Sequence, residues 1–172
     1  IAGGRWYVGG VGDSRVYRQQ DTALTQLTTD HSLTQALVDA QTISEEEAAT
    51  HRYRNVLYRY LGSKEGGNGT DSEVLEPVGG DRYLLCSDGL YNYYNKSEEI
   101  LKGLAGENLD EGLNELVQTA LDRGGHDNIT VIALRISPPT RKEAQSVAAR
   151  ERIEILKGPQ AAYFGRSTYA GA

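Results

Sequence analysis

"LLCSDGL", residues 84–90, decides how the chain folds. An apolar run ends abruptly in Ser87-Asp88-Gly89, so a strand with the composition of a buried one finishes on a carboxylate and a turn-forming glycine. A counterpart lies further on, where "HDNITVIALRI" (126–136) opens with Asp127 and Asn128 and continues as a β-branched strand. If the two strands are antiparallel neighbours, the end of the first lies beside the start of the second. Asp88 and Asp127 then project from one sheet edge.

Two clustered carboxylates repel, and a divalent cation is the simplest relief. Mg²⁺ and Mn²⁺ take oxygen ligands and keep several waters, so one or two carboxylates per ion is a reasonable protein share. Asp-Gly and Asp-Asn are also common turn dipeptides, so spacing alone leaves a metal site and plain turns both open. Asp13, in "VGDSRVY", is a third candidate that follows a glycine inside a β pattern, where a bulge is the alternative. Asp30-His31 fits a metal or acid-base pair, or a helix cap. His51 and His126 have no zinc-like spacing, and one cysteine makes a structural zinc implausible.

Outward from these strands, "RWYVGGVGDSRVYR" (5–18) predicts a hairpin or one bulged strand, and Ala23 to Leu27 a further strand, together a β-meander. Ser32 with Gln35, and Ser44 with Glu47, are capping-box patterns ahead of two short helices. "NVLYRYLG" (55–62) has β propensity, "SKEGGNGTDSE" (63–73) is a polar loop, and "EVLEPV" and "RYLLCS" predict a strand pair around Gly79-Gly80-Asp81. One helix is expected from about Ser97 to Ala105. A second starts at an Asn108 cap, carries an apolar stripe of 3.6-residue spacing through Leu109, Leu113, Leu116, Val117 and Ala120, and ends at Gly124-Gly125. Beyond Pro138-Pro139, a capping box at Thr140 and Glu143 predicts a helix from about Arg141 to Leu156, stopped by Gly158-Pro159. Strands, then helices, then a returning strand give an α+β domain with helices over antiparallel sheet.

Composition bounds the function. The 172 residues fit one domain plus a tail, with a net charge of −6. Residues 137–172 hold six Lys/Arg against three Asp/Glu, leaving the first 136 residues at −9. An acidic core argues against nucleic acid as a partner, and no apolar run approaches the ~20 residues that span a bilayer. The expectation is a soluble, cytoplasmic protein. Cys86 has no disulfide partner and reads as a core residue. There is no methionine and the chain opens at Ile1 in the lead-in to a strand, so sequence upstream is expected.

Taken in order, "VGDSRVYR", "LTTDHSL", "RNVLYRYLGS", "DRYLLCSDGL" and "GGHDNITVIAL" resemble the successive motifs of the metal-dependent PPM, or type 2C, protein phosphatases in their bacterial form. The resemblance covers residues 5–136. It implies a four-layer α/β/β/α sandwich of two antiparallel sheets flanked by helices, the N-terminal part of the domain being missing. It also implies a binuclear Mn²⁺ or Mg²⁺ centre, with a possible third ion. The implied reaction is hydrolysis of phosphoserine or phosphothreonine in proteins by a metal-bound water, in signalling opposite a serine/threonine kinase. Asp88 and Asp127 match the family's metal-binding aspartates, Asp13 a weaker further metal site, and Asn128 a residue beside a ligand that orders water or phosphate.

Residues 32–54 resemble the flap beside the active site. Residues 1–137 are then the C-terminal portion of the phosphatase domain, and 138–172 a linker helix and an unassigned tail. Gln41 departs from the usual glycine and Arg52 from the usual proline. The family's earlier motifs, with a phosphate-contacting arginine and a metal-bridging aspartate, have no counterpart in the 172 residues, so the chain alone is expected to be inactive. A non-catalytic phosphatase-like binding or scaffold module is the alternative.

Overall fold

A computed structural model describes residues 5–63 and 71–137, together with the backbone of 152–157. Five antiparallel strands form the main sheet in the order β3-β2-β5-β6-β7: β2 is Arg15–Gln20, β3 Ala23–Gln26, β5 Arg82–Cys86, β6 Val131–Ser137 and β7 Arg152–Lys157. β1 (Trp6–Gly10) and β4 (Asp71–Leu75) form a second, two-stranded antiparallel sheet.

The apolar run at 83–86 is continuous because β5 is covered on both faces. Leu84 and Cys86 join a core cluster with helix residues Leu104, Leu113 and Leu116. Tyr83, pointing the other way, packs with Trp6 and Leu75 of the small sheet, its ring centroid 5.0 Å from that of Trp6. β6 alternates likewise, Val131 and Ala133 toward the helices and Ile136 toward the small sheet. Of the four expected layers, the described residues supply three: sheet, sheet and helices.

The helices follow their sequence signals. α1 (Leu33–Asp39) starts at Ser32, whose hydroxyl accepts from the Gln35 N–H, and α2 (Glu45–Thr50) starts in a complete Ser44–Glu47 capping box. After α3 (Asp88–Tyr91), a single turn that sequence periodicity does not signal, come α4 (Ser97–Ala105) and α5 (Leu109–Asp122), with Asn108 capping α5. Gln41, where relatives of the resembled family often have glycine, ends α1 at φ 54°. Its N–H bonds to Val38 O and that of Thr42 to Leu37 O, so a left-handed helix stop is enforced here without glycine.

Four expectations are corrected. β1 and β2 are not a hairpin, because the loop at 11–14 carries the chain from one sheet to the other and Gly12 turns it at φ 96°. β4 and β5 are not a pair for the same reason, with Gly80 at φ 102° in the second crossing. "NVLYRYLG" forms turns and one bridge, Ser32 to Leu57, rather than a strand. Residues 152–157 are strand, not helix: the alternation Arg-Ile-Glu-Ile suits the open edge of β6, and the register sets Ile153 opposite Ile136 and Ile155 opposite Leu134. The rest of that expected helix, with its caps at Thr140 and Gly158, and residues 64–70 of the polar loop lie outside the described residues.

α4 crosses α5 closely enough that a Cβ on Gly112 would sit 1.8 Å from the Gly103 carbonyl oxygen. Gly112→Ala should therefore force the helices apart and cost at least ~2 kcal/mol, in the range of overpacking a rigid core. Urea unfolding of the variant checks it.

Candidate functional site

β5 and β6 are antiparallel neighbours with Cys86 opposite Val131, so the end of β5 meets the start of β6. Ser87 fastens the junction: its N–H donates to Thr130 O at 3.1 Å, its hydroxyl donates to Asn128 O at 2.9 Å, and it accepts from the Thr130 N–H. Gly89 lets the loops touch, since a Cβ there would lie 2.4 Å from Asn128 O. Asp88, on the first turn of α3, and Asp127, in the α5–β6 loop, are thereby brought together. Asp13 arrives from the sheet-crossing loop, because Arg15 is also opposite Cys86, and Tyr91 of α3 donates its hydroxyl to Asp13 O at 2.9 Å.

The carboxylates register one another. Burial raises the Asp88 carboxyl above its ordinary value, and the charge of Asp127 raises it further. Asp13 is raised by burial first and then by Asp88. Asp88 Oδ1 accepts from Gly89 N–H at 2.9 Å and Asp127 Oδ1 from Asn128 N–H at 2.7 Å, leaving outward oxygen lone pairs. Among the described residues none of the three has a cationic side chain in ion-pair range.

The donor set, all hard oxygen with uncompensated negative charge, fits Mg²⁺ or Mn²⁺. It is short of ligands, for no group of three or more Asp, Glu, His or Cys among the described residues is arranged to hold one ion. Beside Asp13 opens a cleft of about 430 Å³, walled by Thr34, Val38, Glu45, Ala49 and Arg54 opposite Asp13 and Tyr91. The segment expected to be a flap thus shares this cleft with Asp13.

The other candidates are engaged in structural contacts. Asp30 is buried and its carboxylate receives Arg15 through Nε and Nη2, at 2.7–3.1 Å. His31 caps no helix and is likewise buried; Ser32 holds that position. His51 ends α2, and the His126 N–H donates to Tyr93 Oη at 2.6 Å. Cys86 is buried, its thiol pushed up to about 12 by desolvation, as suits a core residue. Sequence reasoning missed Arg15, whose guanidinium also donates to Tyr17 Oη at 3.0 Å and lies 3.6 Å from the Tyr91 ring centre. Only its place two residues after Asp13 on a strand hinted that it faces Tyr17.

No protein-family model matches the chain. It is 33% identical, over 99% of its length, to the serine/threonine protein phosphatase PstP of Mycobacterium tuberculosis, and 42% identical over 73% to the serine/threonine phosphatase stp of Listeria monocytogenes. It spans 38% and 49% of those proteins. The crystal structure of M. tuberculosis PstP superposes with a TM-score of 0.69 at 37% identity, over 77% of this chain and 55% of that one. The catalytic domain of PstP in complex with two manganese ions superposes at 0.66.

The chain belongs to the bacterial PPM-type serine/threonine phosphatases.

Membership in the PPM family accounts for the two antiparallel sheets with helices. Among the described residues no helix is long and apolar enough to cross a membrane.

Because Asp88 and Asp13 carry raised values in the folded chain, their contribution to stability is present below the ordinary aspartate value and is lost as pH rises through the raised ones. Removing one charge relieves this. Without added metal, Asp127→Asn should be more stable than the parent at pH 7 by up to ~1 kcal/mol, the ceiling for partly exposed charges. The difference should vanish in acid below the unfolded-state value. Urea midpoints at the two pH values check it.

Proposed function

We propose that this chain supplies Asp88 and Asp127, with Asp13 at a further site, to a Mn²⁺- or Mg²⁺-dependent protein phosphatase acting on phosphoserine and phosphothreonine. The observation that carries it is the meeting of Asp88 and Asp127 at one sheet edge, with Asp13 next to Asp88 and lining a cleft walled by residues 34–54, in a chain whose relatives are serine/threonine phosphatases, one of them with two manganese ions. Bound there, the cations would lower the pKa of water and offset charge on the phosphoryl oxygens.

The chain's own part is to hold and orient. Gly89 sets the spacing of Asp88 and Asp127, Ser87 locks the two loops, and Asn128 stands beside a ligand where it could order water or phosphate. Arg15 contributes scaffolding rather than phosphate contact, its guanidinium being committed to Asp30 and Tyr17. The substrates we infer are cytoplasmic signalling proteins phosphorylated by a serine/threonine kinase, which the cleft under the flap would admit.

Titration calorimetry with Mn²⁺ tests the site. Saturable binding should weaken at least about a hundredfold in Asp88→Ala and in Asp127→Ala, more than the 10–100-fold typical of losing an outer partner. Binding untouched by both substitutions would reduce the aspartates to turn residues. With so few ligands gathered, the 172-residue chain should turn over p-nitrophenyl phosphate poorly even in saturating Mn²⁺. Metal binding with no turnover after fusion to the remaining length of a relative would favour the scaffold module.

A further inference from the structure

Loop 11–14 offers little of its own to fix the direction of Asp13. Gly12 sits at φ 96°, outside the region side-chain-bearing residues favour, and Ser14 is exposed. What holds the loop comes from two places outside it.

The first is His31, 1% exposed. Its Nδ1 accepts from the Gly12 N–H at 3.0 Å while its own backbone N–H donates to Gly12 O at 2.8 Å, so both polar groups of Gly12 are held by one residue. Since an N–H points at Nδ1, that nitrogen is unprotonated and the hydrogen of the neutral ring is on Nε2. Nε2 then donates to Asp71 Oδ2, 2.8 Å away on β4 of the small sheet. The second is Tyr91, whose hydroxyl fixes Asp13 O and whose ring is backed by Arg15, itself held by Asp30. Residues 30 and 31 therefore grip the chain on both sides of Asp13.

The same histidine also ties down the segment that follows the flap. Its carbonyl accepts from the Tyr58 N–H at 3.0 Å, and next to it the Leu33 N–H donates to Val56 O at 2.8 Å.

We propose that His31 and Tyr91 are positioning residues for the Asp13 carboxylate, holding its backbone in the one orientation that lets it share a cation with Asp88. This rests on Asp13 being a metal ligand, so the test separates the two ideas. The 172-residue chain is titrated with Mn²⁺ by calorimetry, and Gly12 amide exchange is followed by NMR. Asp13→Asn sets the reference and should weaken the Asp13-dependent Mn²⁺ site at least about tenfold, leaving binding at Asp88 and Asp127.

His31→Gln, whose amide reaches toward Nε2 but vacates Nδ1, should weaken that site to the same degree and speed Gly12 exchange about tenfold or more, as expected when an outer partner is lost. His31→Asn, whose oxygen replaces Nδ1, should keep both within about threefold although its tie to Asp71 is gone. Where His31→Gln fails to fold, Tyr91→Phe, which removes only the hydroxyl, should still weaken the Asp13 site several-fold with the melting temperature nearly unchanged.

Equal losses in His31→Gln and His31→Asn, tracking their melting temperatures, would overturn the proposal in favour of a merely structural histidine. So would parental Mn²⁺ affinity in Tyr91→Phe. If Asp13→Asn changes nothing while Asp88→Ala abolishes binding, this inference falls and the metal site of the proposed function stands. Absence of Mn²⁺ binding in the parent chain removes both.

Discussion

The close contact between Gly89 and Asn128 O is the constraint on which the site depends. A chain that ends one core strand and begins its neighbour at the same edge needs loops there, and ordinary loops would keep their carboxylates apart. Here the absence of a side chain at 89 and the three hydrogen bonds of Ser87 draw the loops into contact. The repulsion between Asp88 and Asp127 works against this. It is tolerated because β5 is fixed from both faces, by Leu84 and Cys86 against the helices and by Tyr83 against Trp6. Each fully buried side chain of that size contributes roughly 1.5–3 kcal/mol, enough for a few of them to exceed one carboxylate repulsion.

Much of this was legible in the sequence, and what was not shares a physical cause. Caps and stripes are local, so Ser32, Ser44 and Asn108 mark helix starts and the apolar spacing of α5 marks its buried face. The neighbouring of β5 and β6 could be inferred because both runs are apolar and an acid follows the first and precedes the second. Strand partnership elsewhere is not local. β1 and β2 adjoin in sequence and part company at Gly12, and nothing in "EVLEPV" says that its partner is sixty-odd residues upstream rather than the next strand along. The capping box at Thr140 and Glu143 points to a helix through "RIEILK", because the unpaired edge of β6 that makes 152–157 a strand exists only in three dimensions.

Polar interior contacts were the least legible. Asp30 and His31 stood out as a pair, but as a cap or an acid-base couple. A histidine that accepts on one nitrogen and donates on the other leaves no spacing pattern, since its partners, Gly12 and Asp71, lie on opposite sides of it in the chain and in different sheets. Gln41 is the converse: a departure from glycine seen in sequence proves to be a residue held in the glycine conformation by two helix-stop hydrogen bonds.

The two ends of β5 hold their acids differently, and the contrast bears on what the site end is for. At the far end, Asp81 is as buried as any carboxylate among the described residues, and burial alone would raise its pKa. It is instead held below the ordinary value, because the Val78 N–H and the Arg18 guanidinium, 2.6 Å away, more than offset desolvation. Asp30 forms an ion pair with Arg15 at 2.7 Å. Asp13 and Asp88 are part-buried, adjacent in space and served mainly by backbone N–H groups, so their values rise. The fold can evidently bring an arginine to a buried aspartate where one is needed for stability. At the site end Asp13 and Asp88 form no ion pair among the described residues, and Arg15, whose charge lowers Asp13 less than burial and Asp88 raise it, is bound to Asp30. Charge left without an ion pair at one edge, while the buried acids Asp30 and Asp81 each have an arginine, is the arrangement that a cation from solution would complete on the function proposed above.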